Sequence, residues 1–296
     1  MSQKFTITGR QKLSGPYPVQ GNKNAALPLL SAALLSKSVV RFENVPQIAD
    51  VASLLKLIEA LSVNVSWENG ALLVDSREFR GGELPFELVE RLRGSVLLLG
   101  ALAPHLDSIT CPLPGGCPIG RRSFEMHWDV FRAAGFSVTE ESERVTLRRA
   151  EEVADPQVYL RESSVTATEN ALILFSALGQ GLIENPAREP HVLTLVTFLR
   201  QLGCQIELHP HYYRVQNGPS SQAKDFTFRV PADYIDAGTI AIAAAVTGGK
   251  VDLLGVTRED FLPIQNVFER FRVHFDEKNP DVIQVKGGEL ENPPQV

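Results

Sequence analysis

The 296-residue chain has few aromatic residues (7%), only 3 cysteines, no long apolar run and no excess of positive charge. Each shortage narrows the answer. With 44% hydrophobic residues and so few rings, the core is expected to be aliphatic and alanine-rich. Cys111, Cys117 and Cys204 are odd in number and contain no CxxC pair, which fits a reducing compartment and not a disulfide framework. A formal charge of −6 excludes a general nucleic-acid or membrane-surface binder, because such binding needs a cationic face to displace counterions. Any polyanionic ligand must find a local cluster. The longest uncharged runs, 170–183 and 95–106, fall short of the ~18–20 residues of a membrane span, and the N-terminal MSQKFTITGRQKL lacks an apolar core of signal-peptide length. A cytoplasmic location is expected, with neither nucleic acid nor membrane as partner.

Length alone suggests about two domains. The strongest internal signal is self-similarity at a period near 70 residues. Four stretches obey one grammar: an Ala/Leu-rich helix, a short apolar strand, a connection, an amphipathic helix ending in a small-residue turn, and a β-hairpin. The first reads AALPLLSAALL, VVRFENV, DVASLLKLIEALS, VNVSWENGALLV, with Asn69-Gly70 as the hairpin turn that needs positive φ. The turn positions Ser62, Gly135, Gly203 and Arg272 lie 73, 68 and 69 residues apart. The class is α+β, with helices packed inside or behind small mixed sheets. One unit has too small a core to be comfortable alone. Units one to three are therefore expected to close into one domain, 21–225, ending in the turn-rich 216–225 (QNGPSSQAKD). Unit four, 226–296 with 1–20, then forms a second domain that looks incomplete on repeat arithmetic.

The units disagree at one loop. In units one and three the strand-to-helix connection is short, whereas in unit two it lengthens to LPGGCPIGRRS, 113–123. Its glycines bracket a thiol and two guanidinium groups, Arg121 and Arg122; function or an exposed mobile loop both fit this pattern. It lacks the GK[ST] ending of a phosphate-binding P-loop, and no GxGxxG follows a strand. Helix starts supply the other candidates. Lys23 and Asn24 open unit one's first helix, where unpaired backbone donors favour an anion; Arg93 opens the equivalent helix of unit two, and Ser163-Ser164 that of unit three. A symmetric arrangement would bring the three starts to one face.

GNKNAALPLLSAALL, LRGSVLLLGALA, LPGGCPIGRR, SSVTATENALI and IENPAREP, in this order and spacing, closely resemble the UDP-N-acetylglucosamine enolpyruvyl transferases, within the EPSP synthase superfamily. The likeness runs to about Gly288. The resemblance implies an inside-out α/β barrel of βαβαββ-type units and transfer of the enolpyruvyl group of phosphoenolpyruvate to a UDP-sugar hydroxyl with loss of phosphate. That step commits UDP-N-acetylglucosamine to peptidoglycan, and hence to cell-wall growth, cell shape and division. It implies no metal and no organic cofactor. By position, Cys117 matches the family's proton donor, and Lys23 and Asn24 match the phosphoenolpyruvate site. Arg93 and Arg122 match arginines lining the ligand cleft, whose guanidinium forks suit phosphate oxygens. Ser123, Phe124, Glu125 and Met126 match one nucleotide-contacting strip, and Glu162, Ser163, Ser164 and Val165 a second.

The sequence departs from the family pattern in three places. Ser123-Phe124-Glu125 stands where Pro, an aliphatic residue and Asp are usual, Glu162 where a lysine is usual, and Thr166 where a glycine is usual. An acid facing a diphosphate repels it, so another acceptor is a competing expectation. The family has six units, and the matched region covers four, without the part that supplies the aspartate base. A silent binding module, or one half of a split enzyme with a second polypeptide, is the other competitor. His209 and His211 read as strand or turn residues with no third metal ligand nearby.

Overall fold

The computed structural model describes residues 4, 6, 8, 9, 11–115, 123–150, 153–221 and 224–288. In chain order these form β1 (Ser14–Pro18), α1 (Lys23–Ala32), β2 (Val39–Glu43), α2 (Ala49–Ala60), β3 (Asn64–Glu68), β4 (Ala71–Asp75), α3 (Phe86–Val89), α4 (Val96–Leu102), β5 (Ser108–Pro112), α5 (Glu125–Ala133), β6 (Phe136–Glu140) and β7 (Arg144–Arg149). They continue with β8 (Gln157–Tyr159), α6 (Val165–Leu178), β9 (Gly181–Glu184), α7 (Pro190–Gln201), β10 (Gln205–Leu208), β11 (Tyr212–Asn217), β12 (Phe226–Arg229), α8 (Tyr234–Thr247), β13 (Lys250–Leu254), α9 (Arg258–Glu269), β14 (His274–Asn279) and β15 (Val282–Lys286). Two units result. The larger is Lys23–Val230; the smaller joins Met1–Asn22 to Pro231–Val296.

The larger unit holds three separate sheets, ordered β12-β2-β4-β3, β5-β7-β6 and β10-β11-β9-β8, and the smaller one holds β1-β13-β15-β14. Among the described residues no sheet closes on itself. Alternation sets the inward faces: Val40 and Phe42 on β2, Ile109 and Cys111 on β5, Tyr213 and Val215 on β11, Val251 and Leu253 on β13 are all buried. Three sheets carry an outer strand that runs parallel to its neighbour: β12 beside β2, β8 beside β9 and β1 beside β13. The boundary moves for this reason. A linker at 216–225 marks where a hairpin ends but not which sheet takes the next strand. Phe226 to Arg229 pair with Val40 to Glu43, and the Val230 amide donates to the Glu43 carbonyl. Residues 226–230 therefore lie with the larger unit, not with the smaller one as expected.

Left-handed backbone marks corresponding places in the element order. Positive φ falls after the first helix at Lys37, Gly179 and Gly248, after the next strand at Asn44, Asn185 and Gly255, and after the second helix at Ser62, Gly135, Gly203 and Arg272. The two asparagines earn their positions through their amides. Asn44 Nδ2 donates to the Val230 carbonyl at 3.0 Å, and Asn185 Nδ2 donates to the Leu160 carbonyl at 2.9 Å, each holding the chain as it leaves the parallel outer strand.

α1, α4 and α6 pack on one another at the centre of the larger unit and are apolar on nearly every face. Among the buried polar residues of α6 are Glu169 and Asn170. Glu169 is 1% exposed with Oε1 unpartnered, and burial together with the charge of Glu189 pushes its carboxyl well above the usual carboxylate range. Asn170 is fully buried and is used below.

Two stability outcomes follow from these positions. At Ser62 (φ 62°) an L side chain is strained, so Ser62→Gly raises stability by about 1 kcal/mol, while Gly203→Ala costs ~1–2 kcal/mol; paired urea melts read both. Gly203 adds a steric cost, since a Cβ there would sit 3.0 Å from the Ser220 backbone nitrogen. A carboxyl whose folded-state pKa is raised binds more protons folded than unfolded. Its contribution is full below about pH 4 and is lost as pH climbs through the folded value. Glu169→Gln therefore raises the melting temperature at pH 8 more than at pH 5; an equal shift at both would show Glu169 to be ionised in the fold.

Candidate active site

The first turns of the three central helices lie at one end of the larger unit. Leu27 of α1 lies over Gly94, where an added Cβ would approach Leu27 Cδ1 to 2.9 Å, and Asn170 of α6 donates to the Val96 carbonyl that opens α4 at 3.3 Å. Those contacts align the starts. α1 begins at Lys23 with no acid in its first turn, so a cation stands where the helix dipole favours an anion. Lys23 Nζ pairs with Asp50 Oδ2 at 2.6 Å, both side chains about half exposed (45% and 41%), and Asn24 is exposed beside it. Such an open pair is weak and exchangeable. At α6, Ser164 is the N-cap: its hydroxyl accepts the Ala167 amide at 3.5 Å, and its carbonyl accepts the Thr168 amide and hydroxyl. Val165 follows as the first helical residue.

Arg93 opens a 3-10 turn, Arg93–Ser95, that leads into α4. Both described stems of the long connection meet this segment. On the entering side, Gly115 abuts Glu90 so closely that a Cβ would lie 1.7 Å from the Glu90 carbonyl oxygen, a place only glycine can take. On the leaving side, Arg93 Nη2 donates to the Ser123 carbonyl at 3.3 Å, and its guanidinium lies 4.0 Å above the centre of the Phe124 ring. Cys117, Arg121 and Arg122 lie outside the described residues. The last described residue before them, Gly115, abuts Glu90, and the first after them, Ser123, meets Arg93.

Beyond Phe124 the strip is engaged by its own neighbours. Ser123 Oγ accepts the Glu125 amide at 3.0 Å, Glu125 pairs with Arg132 at 2.6 Å, and Met126 packs on the core. Arg132 and Arg161 both pair with Asp129, which links α5 to the chain just before Glu162. Glu162 and Ser163 are exposed, and Ser163 Oγ donates to the Pro186 carbonyl at 3.0 Å. Ser163 faces an open depression of about 650 Å³ that Tyr159, Arg188, Glu189 and His211 also line. Arg188 donates there to the Pro210 carbonyl at 3.1 Å. Lys23, Arg93 and Val165 thus stand where their helical segments begin, Ser123 and Phe124 meet Arg93, and Ser163 borders the third sheet's end.

The sequence reading missed His127 and Asn170. The signal lay in TENALILF: a helix apolar on every side has no reason to carry Glu169 and Asn170 unless something buried answers them. The other two thiols are inert, since burial pushes Cys111 up to about 12 and Cys204 up to about 11. Among the described residues no three His, Cys, Asp or Glu side chains are grouped to hold a metal, and no helix is long and apolar enough to cross a membrane.

The profile of the family described as EPSP synthase (3-phosphoshikimate 1-carboxyvinyltransferase) matches residues 7–294. The UDP-N-acetylglucosamine 1-carboxyvinyltransferase of Bradyrhizobium diazoefficiens is 35% identical over 289 residues, 97% of this chain and 64% of that protein. UDP-N-acetylglucosamine 1-carboxyvinyltransferase 2 of Carboxydothermus hydrogenoformans is 34% identical over 264 residues, 88% of this chain and 62% of that protein. The chain therefore spans less than two thirds of the length of these relatives. In three dimensions it resembles the enolpyruvyl transferase NikO from Streptomyces tendae, with a TM-score of 0.81 at 23% identity, covering 94% of this chain and 66% of that one. EPSP synthase from Acinetobacter baumannii gives 0.75 at 16%, covering 94% and 65%. A profile match along nearly the whole sequence, with relatives at 34–35% identity, makes the chain a member of the EPSP synthase family of enolpyruvyl transferases.

Proposed function

We propose that the chain serves the transfer of the enolpyruvyl group of phosphoenolpyruvate to UDP-N-acetylglucosamine, a cytoplasmic reaction at the entry to peptidoglycan synthesis. Arg93, which leads into α4 and meets Ser123 and Phe124, the first described residues after Cys117, carries this reading, and Lys23 and Ser164 at the starts of the helices packed on α4 support it. A base takes the proton of the sugar hydroxyl as its oxygen bonds to the central carbon of the enol, and the Cys117 thiol gives its proton to the methylene carbon. A base then takes a proton from the new methyl group, the carbon–oxygen bond to phosphate breaks, and the double bond returns. Lys23 and Asn24, with Arg93 and Arg122, would hold the phosphate and carboxylate charge; the strips 123–126 and 162–165 would hold the nucleotide. A thiol with an ordinary pKa near 8.5 is protonated at neutral pH, as a donor must be. No residue of this chain is assigned the base. The same reading treats the four helix–strand–helix–hairpin stretches as copies of one unit, three in the larger body and one in the smaller.

Two observations favour narrower readings. On α8, Ile235, Ile242 and Val246 are 50%, 50% and 64% exposed at spacings of seven and four, an apolar stripe that suits cover by further units of a second polypeptide. Glu162, two residues before the N-cap of α6, is exposed, which suits an acceptor with less negative charge than a diphosphate. Phosphate release separates these readings. Release by this chain with phosphoenolpyruvate and UDP-N-acetylglucosamine supports the main reading. Release only after adding a polypeptide with the family's remaining units supports the split enzyme, release only with other acceptors supports altered specificity, and none in any case supports a silent binding module.

Because Cys111 and Cys204 are buried, a cysteine-directed alkylating probe at pH 7.5 should label Cys117 alone, and Cys117→Ala should abolish labelling. Phosphoenolpyruvate should slow the labelling. Arg93→Ala and Lys23→Ala should each raise the protecting concentration about tenfold or more, the worth of a charge-assisted hydrogen bond. Asp50→Asn should lower it by up to about fivefold, since it removes a competing partner from Lys23. Mass spectrometry of labelled peptides reads all four; labelling untouched by phosphoenolpyruvate would contradict the reading.

A further inference from the structure

A single imidazole joins the helix starts from beneath. His127 lies in the first turn of α5 and is 3% exposed. Its Nδ1 is 3.2 Å from Asn170 Nδ2, which also reaches the Val96 carbonyl oxygen at 3.3 Å. A carbonyl only accepts, so the Asn170 atom between these groups must be the amide nitrogen, and His127 Nδ1 must then be an unprotonated acceptor. The ring hydrogen is left on Nε2, which donates to Thr166 Oγ1 at 3.1 Å. One tautomer is thereby selected. Burial, with the Arg93 charge adding to it, pushes the imidazole down to about 3, so the ring stays neutral at every pH at which the protein works. The arrangement also demands a glycine on α4, because a Cβ at Gly100 would lie 2.4 Å from Asn170 Oδ1.

What the imidazole holds is the platform for Arg93. The Phe124 ring centre is 5.8 Å from that of His127 on one side and carries the Arg93 guanidinium at 4.0 Å. Thr166 sits two residues beyond the Ser164 cap, and Val96 opens α4. His127 therefore touches α5 and α6 directly and α4 through Asn170. The place of Arg93 follows from where α5 is fixed, through its contacts with Ser123 and Phe124.

We propose that His127 is a positioning residue: bridging Thr166 and Asn170, it fixes α5 against the starts of α4 and α6 and so sets the pose in which Arg93 meets a phosphate- or carboxylate-bearing ligand. The ligand half of this proposal rests on the reading of Arg93 as an anion-binding residue. Replacing His127 risks the fold, so the decisive variants are Thr166→Val, which keeps the shape and removes the acceptor, and Thr166→Ser, which restores it. Three readouts apply to the full chain: long-range proton–nitrogen correlations of the His127 ring, the Arg93 Nε–H resonance, and calorimetric affinity for phosphoenolpyruvate. The wild-type ring should show the Nε2–H tautomer from pH 5 to 8. Thr166→Val should move the Arg93 resonance and weaken phosphoenolpyruvate binding about fivefold, and Thr166→Ser should return both to wild type. An Nδ1–H or doubly protonated ring, or an Arg93 resonance indifferent to Thr166→Val, overturns the positioning role whether or not ligand binds. Failure of the wild type to bind phosphoenolpyruvate, with the resonances behaving as expected, overturns the anion-site reading and leaves the positioning of Arg93 supported.

Discussion

The contact on which the site depends is the Arg93 guanidinium resting on the Phe124 ring while it donates to the Ser123 carbonyl. The ring holds the guanidinium through its electrostatic face while the carbonyl fixes one of its N–H groups, so its pose is set from two sides. Gly115 abuts Glu90 and Ser123 meets Arg93, so the described ends of the connection between β5 and α5 both rest on the approach to α4. Loop chemistry is commonly carried on a segment whose ends are fixed by a rigid scaffold. Here the scaffold is the trio of apolar helices, with Leu27 of α1 against Gly94 and Asn170 of α6 against Val96.

Charge at the helix starts is graded. Lys23 is paired with Asp50 in the open, and Arg93 is stacked. The α5 and α6 starts are tied by a chain of ion pairs running Glu125, Arg132, Asp129, Arg161, which leaves Glu162 as the exposed acid at its end. Cations thus stand at the starts of α1 and α4, and an exposed acid precedes α6. That gradient is a physical reason to examine acceptor choice in this chain on its own terms.

Much of the fold was legible in turn chemistry. Ser62, Gly135, Gly203 and Arg272 were aligned by spacing alone, and all four adopt positive φ. Asn69-Gly70 announced its hairpin. Long-range pairing was less legible: nothing local in 226–229 says that it will add to β2, because a short strand takes its place from whichever sheet offers an edge. The motifs drew attention to exposed cations and hydroxyls at helix starts, whereas the groups that align those starts are buried. His127, Asn170 and Gly100 look like ordinary helix residues until the opposing helix is placed beside them. Glu162 and Ser163 were assigned to the same strip as Ser164 and Val165, yet the chain turns between them, and Ser163 faces the third sheet's depression.

The central claim is that the shared end of α1, α4 and α6 is an anion site organised by Arg93. The most direct measurement is a crystal structure of the chain grown with phosphoenolpyruvate. The account predicts the phosphate within hydrogen-bonding distance of both Lys23 and Arg93, with the Arg93 guanidinium still on the Phe124 ring. Phosphoenolpyruvate bound instead beside Arg188 and His211, or an Arg93 side chain swung away from Phe124 in the complex, would contradict it.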